Sequence, residues 1–232
     1  MINHYYWPTP NGHKTAIMLE ETELEHEVVT VNIREGGQFD PAFIAISPNN
    51  RIPAIVDTNG PQGKPFSVFE SGAILLYLAE KSGKLWPQNM VERYDVMQWL
   101  MFQMGNVGPI FGQNGYFQGY CPEDVPLAKQ RYHDMCQQLY GVLDRRLSVS
   151  EYLAGPAYSI ADVATFPWTM PKQREMHDID IEQYPNARRW SDTVAARPAV
   201  ERGTSLMVAD LKVGSPSEET YNNMFGARQF GP

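Results

Sequence analysis

Asn49-Asn50-Arg51-Ile52-Pro53-Ala54-Ile55-Val56-Asp57, followed beyond a turn-rich spacer by Phe69-Glu70-Ser71-Gly72-Ala73-Ile74, is the stretch from which the fold can be read. Pro53 opens a short β-branched run. A proline has no amide proton for a ladder bond, so it belongs at a strand's first residue or in a turn, where the cis form is accessible to it. Backbone groups near Ile52 are then free for a ligand. Glu70-Ser71 sits where a second apolar run, Ser67-Val68-Phe69, gives way to a helical pattern. Ser71 is thereby predicted as an N-cap, with the first amides of the helix pointing outward. Such a corner suits an anionic, peptide-like guest.

Working toward the N-terminus, Ile2 to Trp7 is short and aromatic, and Pro8-Thr9-Pro10-Asn11-Gly12 stops it as a turn would. From His13, Ala16, Ile17 and Leu19 sit among Lys14, Glu20 and Glu21, the pattern of about two helical turns with a polar outer face. Glu27 to Val31 reads as a strand, and a β-α-β order implies a parallel pair. A polar loop, Arg34 to Asp40, leads to a short helix behind Pro41. Ala54 to Asp57 and Ser67 to Phe69 form the simplest kind of hairpin, and Ser71 to Lys81 is an apolar helix that must pack on the sheet. The expected unit is a small mixed sheet with helices on both sides.

Ser82 to Gln88 breaks this pattern, and beyond it strand signals vanish. Val91 to Phe117 has helical spacing with a break predicted at Gly105, Gly108 and Pro109. Pro122 to Leu147 carries a stripe of Tyr132, Cys136, Leu139, Leu143 and Leu147, a long amphipathic helix. Ser159 and Asp162 form a capping-box signal before an apolar helix reaching about Met170, and another helix begins at Tyr184-Pro185 and ends at Arg197-Pro198. The expected division is residues 1–82, residues 89–202 and a C-terminal tail, 203–232, anchored by Leu206, Met207, Val208 and Leu211.

A net charge of −8 and a pI near 5.1 argue against nucleic acid or an anionic membrane surface as the main partner. No apolar run is long enough for a membrane span, and Met1 to His4 lacks the features of a secretory signal, so the expected compartment is the cytoplasm. Two cysteines, Cys121 and Cys136, make no disulfide framework. The five histidines share no metal spacing, CxxC, GxSxG, Walker A and HExxH are all absent, and no metal is expected. Cys136 lies on the apolar stripe and reads as a packing residue. Cys121, before Pro122, reads as a turn residue whose reactivity stays open. Thr9 and Asn11 present a hydroxyl and an amide at a helix N-terminus, whose dipole favours a thiolate; simple capping is the competing reading. Glu70 is equally compatible with an exposed acid.

The strings Pro8 to Lys14, Gly36-Gly37-Gln38-Phe39, Ser47 to Asp57 and Phe69 to Leu78 closely resemble the glutathione transferase superfamily, in particular its nu class. That branch comprises bacterial glutathione-dependent disulfide-bond oxidoreductases related to the yeast nitrogen-regulating prion protein. Gly108-Pro109, Gly112-Gln113-Asn114 and Gln130-Arg131-Tyr132 are similar to its helical half. The resemblance implies an α/β thioredoxin-like N-terminal domain followed by an all-α helical C-terminal domain, a homodimer, and glutathione as co-substrate. It assigns Ile52, beside a cis Pro53, to backbone pairing with the cysteinyl unit. Glu70 and Ser71 fall to the γ-glutamyl end, Gln38 to the glycyl end, and Arg131 reaches in from the helical domain of the same or of the partner subunit. Thr9 and Asn11 face the sulfur.

No Tyr, Ser or Cys is clearly placed as a catalytic group in the first turn, and this departs from many conjugating transferases. The implied activity is glutathione-dependent disulfide reduction with weak conjugation, on small or protein disulfides. A conjugating transferase or peroxidase, and a non-catalytic glutathione-binding regulatory module, are the alternatives. For the bulky Trp7 the sequence suggests no role.

Overall fold

A computed structural model describes residues 1–207 and 216–230; Val208 and Leu211, two of the expected tail anchors, lie outside the described residues. The N-terminal half is a four-stranded sheet in the order β2-β1-β3-β4. Strand β1 (Ile2–Tyr6) buries alternate residues, Ile2, His4 and Tyr6, as a half-buried strand should. It pairs in parallel with β2 (His26–Thr30) and antiparallel with β3 (Ala54–Asp57), which forms the expected hairpin with β4 (Phe66–Phe69). The Ile52–Pro53 peptide is cis, immediately before β3.

Helix α1 (Pro10–Thr22) begins earlier than its apolar periodicity suggests. Thr9 Oγ1 accepts the Gly12 amide proton at 3.2 Å, and Pro10 at the first helical position already has the φ the helix needs. Gly12 is required there, because a Cβ would lie 2.2 Å from the Trp7 carbonyl oxygen. Trp7 belongs to a small core with Val31, Phe43, Ile52 and Ala54. A 3₁₀ turn at Gly37–Phe39 and the short helix α2 (Pro41–Ile44) lead to β3, and α3 (Ser71–Ser82) follows β4. The residue preceding α3 is Glu70, at φ 67°, so Ser71 is the first helical residue and not the cap. The Ser71 hydroxyl is engaged elsewhere, by Lys14.

The second half is helical. Helix α4 (Met90–Phe102) passes through one π turn, Gln103–Val107, into α5 (Gly108–Gly119), at the place where Gly105, Gly108 and Pro109 predict a break. Helix α6 (Pro126–Leu147) buries Cys136, Leu139, Leu143 and Leu147. Before α7 (Ile160–Thr165) the capping box closes, with the Ser159 amide donating to Asp162 at 3.0 Å and Ser159 Oγ accepting from Ala161 at 3.3 Å. Pro167 turns the chain into a 3₁₀ segment, so the helix expected to reach about Met170 ends at Thr165, and α8 (Pro171–His177) follows as a further helix that the sequence reading does not include. After α9 (Pro185–Ala195), Pro198 does not simply end a helix. It starts α10 (Pro198–Ser205), which lies on α1. Gly203 permits that approach, since a Cβ there would lie 2.7 Å from the Ile17 amide nitrogen. One apolar core, including Ile17, Leu75, Leu100, Phe111, Ile160 and Trp190, runs through both halves.

Within the tail, α11 (Glu218–Phe225) folds back onto the N-terminal half. Asn223 donates to the Arg34 carbonyl at 3.0 Å, and its own carbonyl accepts from Gln38 Nε2 at 2.7 Å.

Candidate functional site

Two adjoining cavities lie between the sheet and the helices, sharing Asn11, Arg51, Ile52, Gly112, Tyr116, Trp168, Met224 and Phe225 as lining residues. The larger, about 580 Å³, is bounded by the residues just before β3, the end of β4, the start of α3, α1, the π turn and α5, with Lys14, Pro53, Glu70, Ser71, Gln103 and Gly108 in its wall. The smaller, about 280 Å³, is more apolar, with Phe111, Trp168, Met176, Met224 and Phe225. Thr9 and Gln38 line the smaller cavity, Asn11 and Ile52 line both, and Pro53, Glu70 and Ser71 line the larger. Seven of the eight residues singled out in the sequence therefore converge. Arg131 does not join them: it is exposed on α6 and lines neither cavity. Trp7 lines neither cavity as well.

Thr9 is a helix cap, and capping leaves its chemistry intact. Its oxygen accepts from Gly12 while its own hydrogen stays available to a group in the cavity. Asn11 is in the first turn of α1, where the helix dipole stabilises negative charge. Glu70 holds a left-handed φ that disfavours a side chain, an arrangement costing on the order of 1–3 kcal/mol and typical of a binding corner. Gln38 is 2% exposed, and its amide nitrogen is held by α11.

The residue that periodicity misassigns is Lys14. Expected on the outer face of α1, it is 1% exposed. Its ammonium donates to Gln103 Oε1 at 2.8 Å and Ser71 Oγ at 3.3 Å, with Met104 Sδ at 3.6 Å. Burial pulls its pKa down to about 7, against the upward pull of the Glu70 carboxylate. The available signal is spacing: Lys14 stands three and four residues before the apolar Ile17 and Met18, on their face of the helix. Met104 packs on Ser71 and Gly72 and lines the larger cavity.

Tyr116 also lines both cavities, and its hydroxyl meets that of Tyr221 on α11 at 2.8 Å. Phe225 packs its ring 5.2 Å from Tyr116 and 5.0 Å from Tyr120. Neither cysteine lines a cavity. Cys136 is fully buried, and burial pushes its thiol up to about 12, while Cys121 is half-buried. Among the described residues, no three His, Cys, Asp or Glu side chains are grouped to hold a metal ion.

The family model described as "Glutathione S-transferase, N-terminal domain" matches residues 2–80, and "Glutathione S-transferase, C-terminal domain" matches residues 121–198. The chain belongs to the glutathione S-transferase family. Its members similar to this chain include "Disulfide-bond oxidoreductase YfcG" of Escherichia coli, 47% identical over 91% of this chain and 97% of that protein. A glutathione transferase family member from Pseudomonas fluorescens Pf-5, solved with two glutathione bound, superimposes with a TM-score of 0.83 at 44% identity, covering 88% of this chain and 92% of that one. A glutathione transferase from Pseudomonas putida, solved with one glutathione disulfide bound per subunit, gives 0.84 at 43% identity, covering 88% and 91%. The small four-stranded sheet followed by a helical half is thus the family's architecture.

Proposed function

We propose that this glutathione S-transferase family member is a glutathione-dependent disulfide-bond reductase with weak conjugating activity. The observation that carries the reading is that Thr9 and Asn11 stand at a helix N-terminus on the cleft while no cysteine lines it. The nucleophile then has to come from the ligand. Glutathione lies with its γ-glutamyl end at Glu70 and Ser71 and its cysteinyl unit paired with the backbone of Ile52, which delivers the sulfur to Thr9 and Asn11. Hydrogen bonds and the helix terminus favour the thiolate, the attacking species in exchange. The thiolate attacks a substrate disulfide, forming a mixed disulfide and releasing one substrate thiolate. A second glutathione thiolate attacks the glutathionyl sulfur, oxidised glutathione leaves, and the second substrate thiolate is released. Two glutathiones or one glutathione disulfide, as in the two Pseudomonas proteins, correspond to the reductant and the product of that sequence.

Gln38 meets the glycyl end once α11 yields its bond to the Gln38 amide. Arg131, distant from its own cleft, serves a second copy's cleft in a homodimer. Exposed Met90, Val91, Tyr94 and Met101 on α4 give that dimer an apolar face. No described helix is long and apolar enough to cross a membrane, and the two cysteines are free, which fits a reducing cytoplasm.

The test is reduction of a small model disulfide by glutathione and the purified protein. Binding of glutathione without reduction would sink the proposal. The apolar cavity favours a secondary conjugating activity, and an electrophilic aromatic substrate and a hydroperoxide, run beside the disulfide, rank the three.

A further inference from the structure

Lys14 is a buried cation with no carboxylate in hydrogen-bond contact. It accepts nothing itself and takes up the acceptor atoms of two neighbours, Ser71 Oγ and Gln103 Oε1, both in the wall of the larger cavity. Each neighbour is left with a donor. The Ser71 hydroxyl has a sulfur at 3.8 Å, a weak acceptor, and the fully buried Gln103 Nε2 has no partner among the described residues. An ammonium, a hydroxyl hydrogen and an amide hydrogen thus lie together in one part of the cavity wall with no carboxylate hydrogen-bonded to any of them. A buried charge left in that state is costly, and a bound anion relieves it.

We infer that Lys14 is the counter-charge for the α-carboxylate of the γ-glutamyl group, acting through Ser71 and Gln103, and that glutathione binding draws a proton onto it. The inference rests on the proposed glutathione site. The charged and titratable groups facing Lys14 are few. Glu70 enters from the start of α3, Arg51 lines the same cavity from the loop before β3, and the π turn contributes the neutral Gln103 and Met104. His13, adjacent on α1, is directed to Tyr6 Oη at 3.1 Å. The free protein holds the Lys14 proton weakly because the ammonium is buried, and an arriving carboxylate strengthens it.

S-methylglutathione isolates the effect, because it has no thiol to titrate. Calorimetric titration of the wild type in two buffers of different ionisation enthalpy should show proton uptake approaching one per site at pH 8 and little at pH 6. Affinity should be about tenfold weaker at pH 8 than at pH 6. In Lys14→Met, or with S-methylglutathione whose γ-glutamyl α-carboxylate is converted to the carboxamide, uptake should disappear and affinity should stop depending on pH over this range. The wild-type measurement stands whether or not the variant folds. Binding without proton uptake, or uptake retained in a folded Lys14→Met, would overturn the role of Lys14 alone. Absence of binding would overturn the glutathione site as well, and failure to reduce disulfides would leave this result untouched.

Discussion

Replacing Thr9 separates the structural half of its role from the chemical half. In Thr9→Ala the Gly12 amide loses its acceptor, and loss of an N-cap costs about 1 kcal/mol of stability. The same change removes the hydroxyl donor to a bound thiolate, and a hydrogen bond to a charged group contributes about 1.5–3 kcal/mol. At about 1.36 kcal/mol per pKa unit, the bound glutathione thiol should rise by about 1 to 2 units. A less acidic thiol gives a more nucleophilic thiolate, with a Brønsted slope of about 0.45, so roughly half of that loss is recovered. Net disulfide reduction at a pH below the thiol's pKa should therefore fall about 4- to 16-fold. Thr9→Ser keeps both the acceptor and the donor and should stay near wild type. Following thiolate absorbance against pH gives the pKa, urea unfolding gives the cap, and initial rates give the third quantity. If Thr9→Ala lost about 1 kcal/mol of stability while thiol pKa and rate stayed unchanged, Thr9 would be a cap and nothing more.

Three further outcomes follow from other parts of the molecule. Asn11→Ala should lower turnover with little loss of stability, and unchanged rates would remove Asn11 from the mechanism. Burial lowers the pKa of His4 to about 3 and those of His13 and His177 to about 4, so the unfolded chain takes up protons first as pH falls. Stability should decline from about pH 6.5 toward pH 4, by on the order of 2 kcal/mol per histidine at pH 5, and His177→Gln should flatten part of that slope in urea unfolding. Deleting residues 217–232 removes Met224, Phe225 and Gln229 from the cleft wall and the Asn223 carbonyl from Gln38. The truncated protein should turn over bulky aromatic disulfides faster relative to small ones, and an unchanged ratio of kcat/KM would show that α11 does not gate the cleft.

What the sequence disclosed was mostly local. Thr9 before Pro10, the Ser159/Asp162 box and the β3–β4 hairpin each depend on residues a few positions apart, and each is present, while the break expected near Gly105 takes the form of a π turn. What it hid depends on distant partners. Lys14 is buried because Gln103 and Ser71, far along the chain, supply its acceptors, so its burial cannot be inferred from the polarity of its own helix. For the same reason Ser71 looks like a cap and is not one. Pro198 reads as the end of a helix, but proline also starts one, and packing of Gly203 on α1 decides for α10. Likewise α11 reads as a polar tail until Tyr221, Asn223 and Phe225 meet Tyr116, Gln38 and Tyr120.

The central claim is that the reacting sulfur belongs to glutathione and not to the protein. Acid-quenched turnover with glutathione and a small disulfide, followed by intact-mass measurement, tests it directly. The account predicts a mixed disulfide of substrate and glutathione, oxidised glutathione as product, and a protein mass unchanged at every time point. A protein carrying a glutathionyl or substrate adduct on Cys121 or Cys136, formed and lost at the rate of turnover, would contradict it.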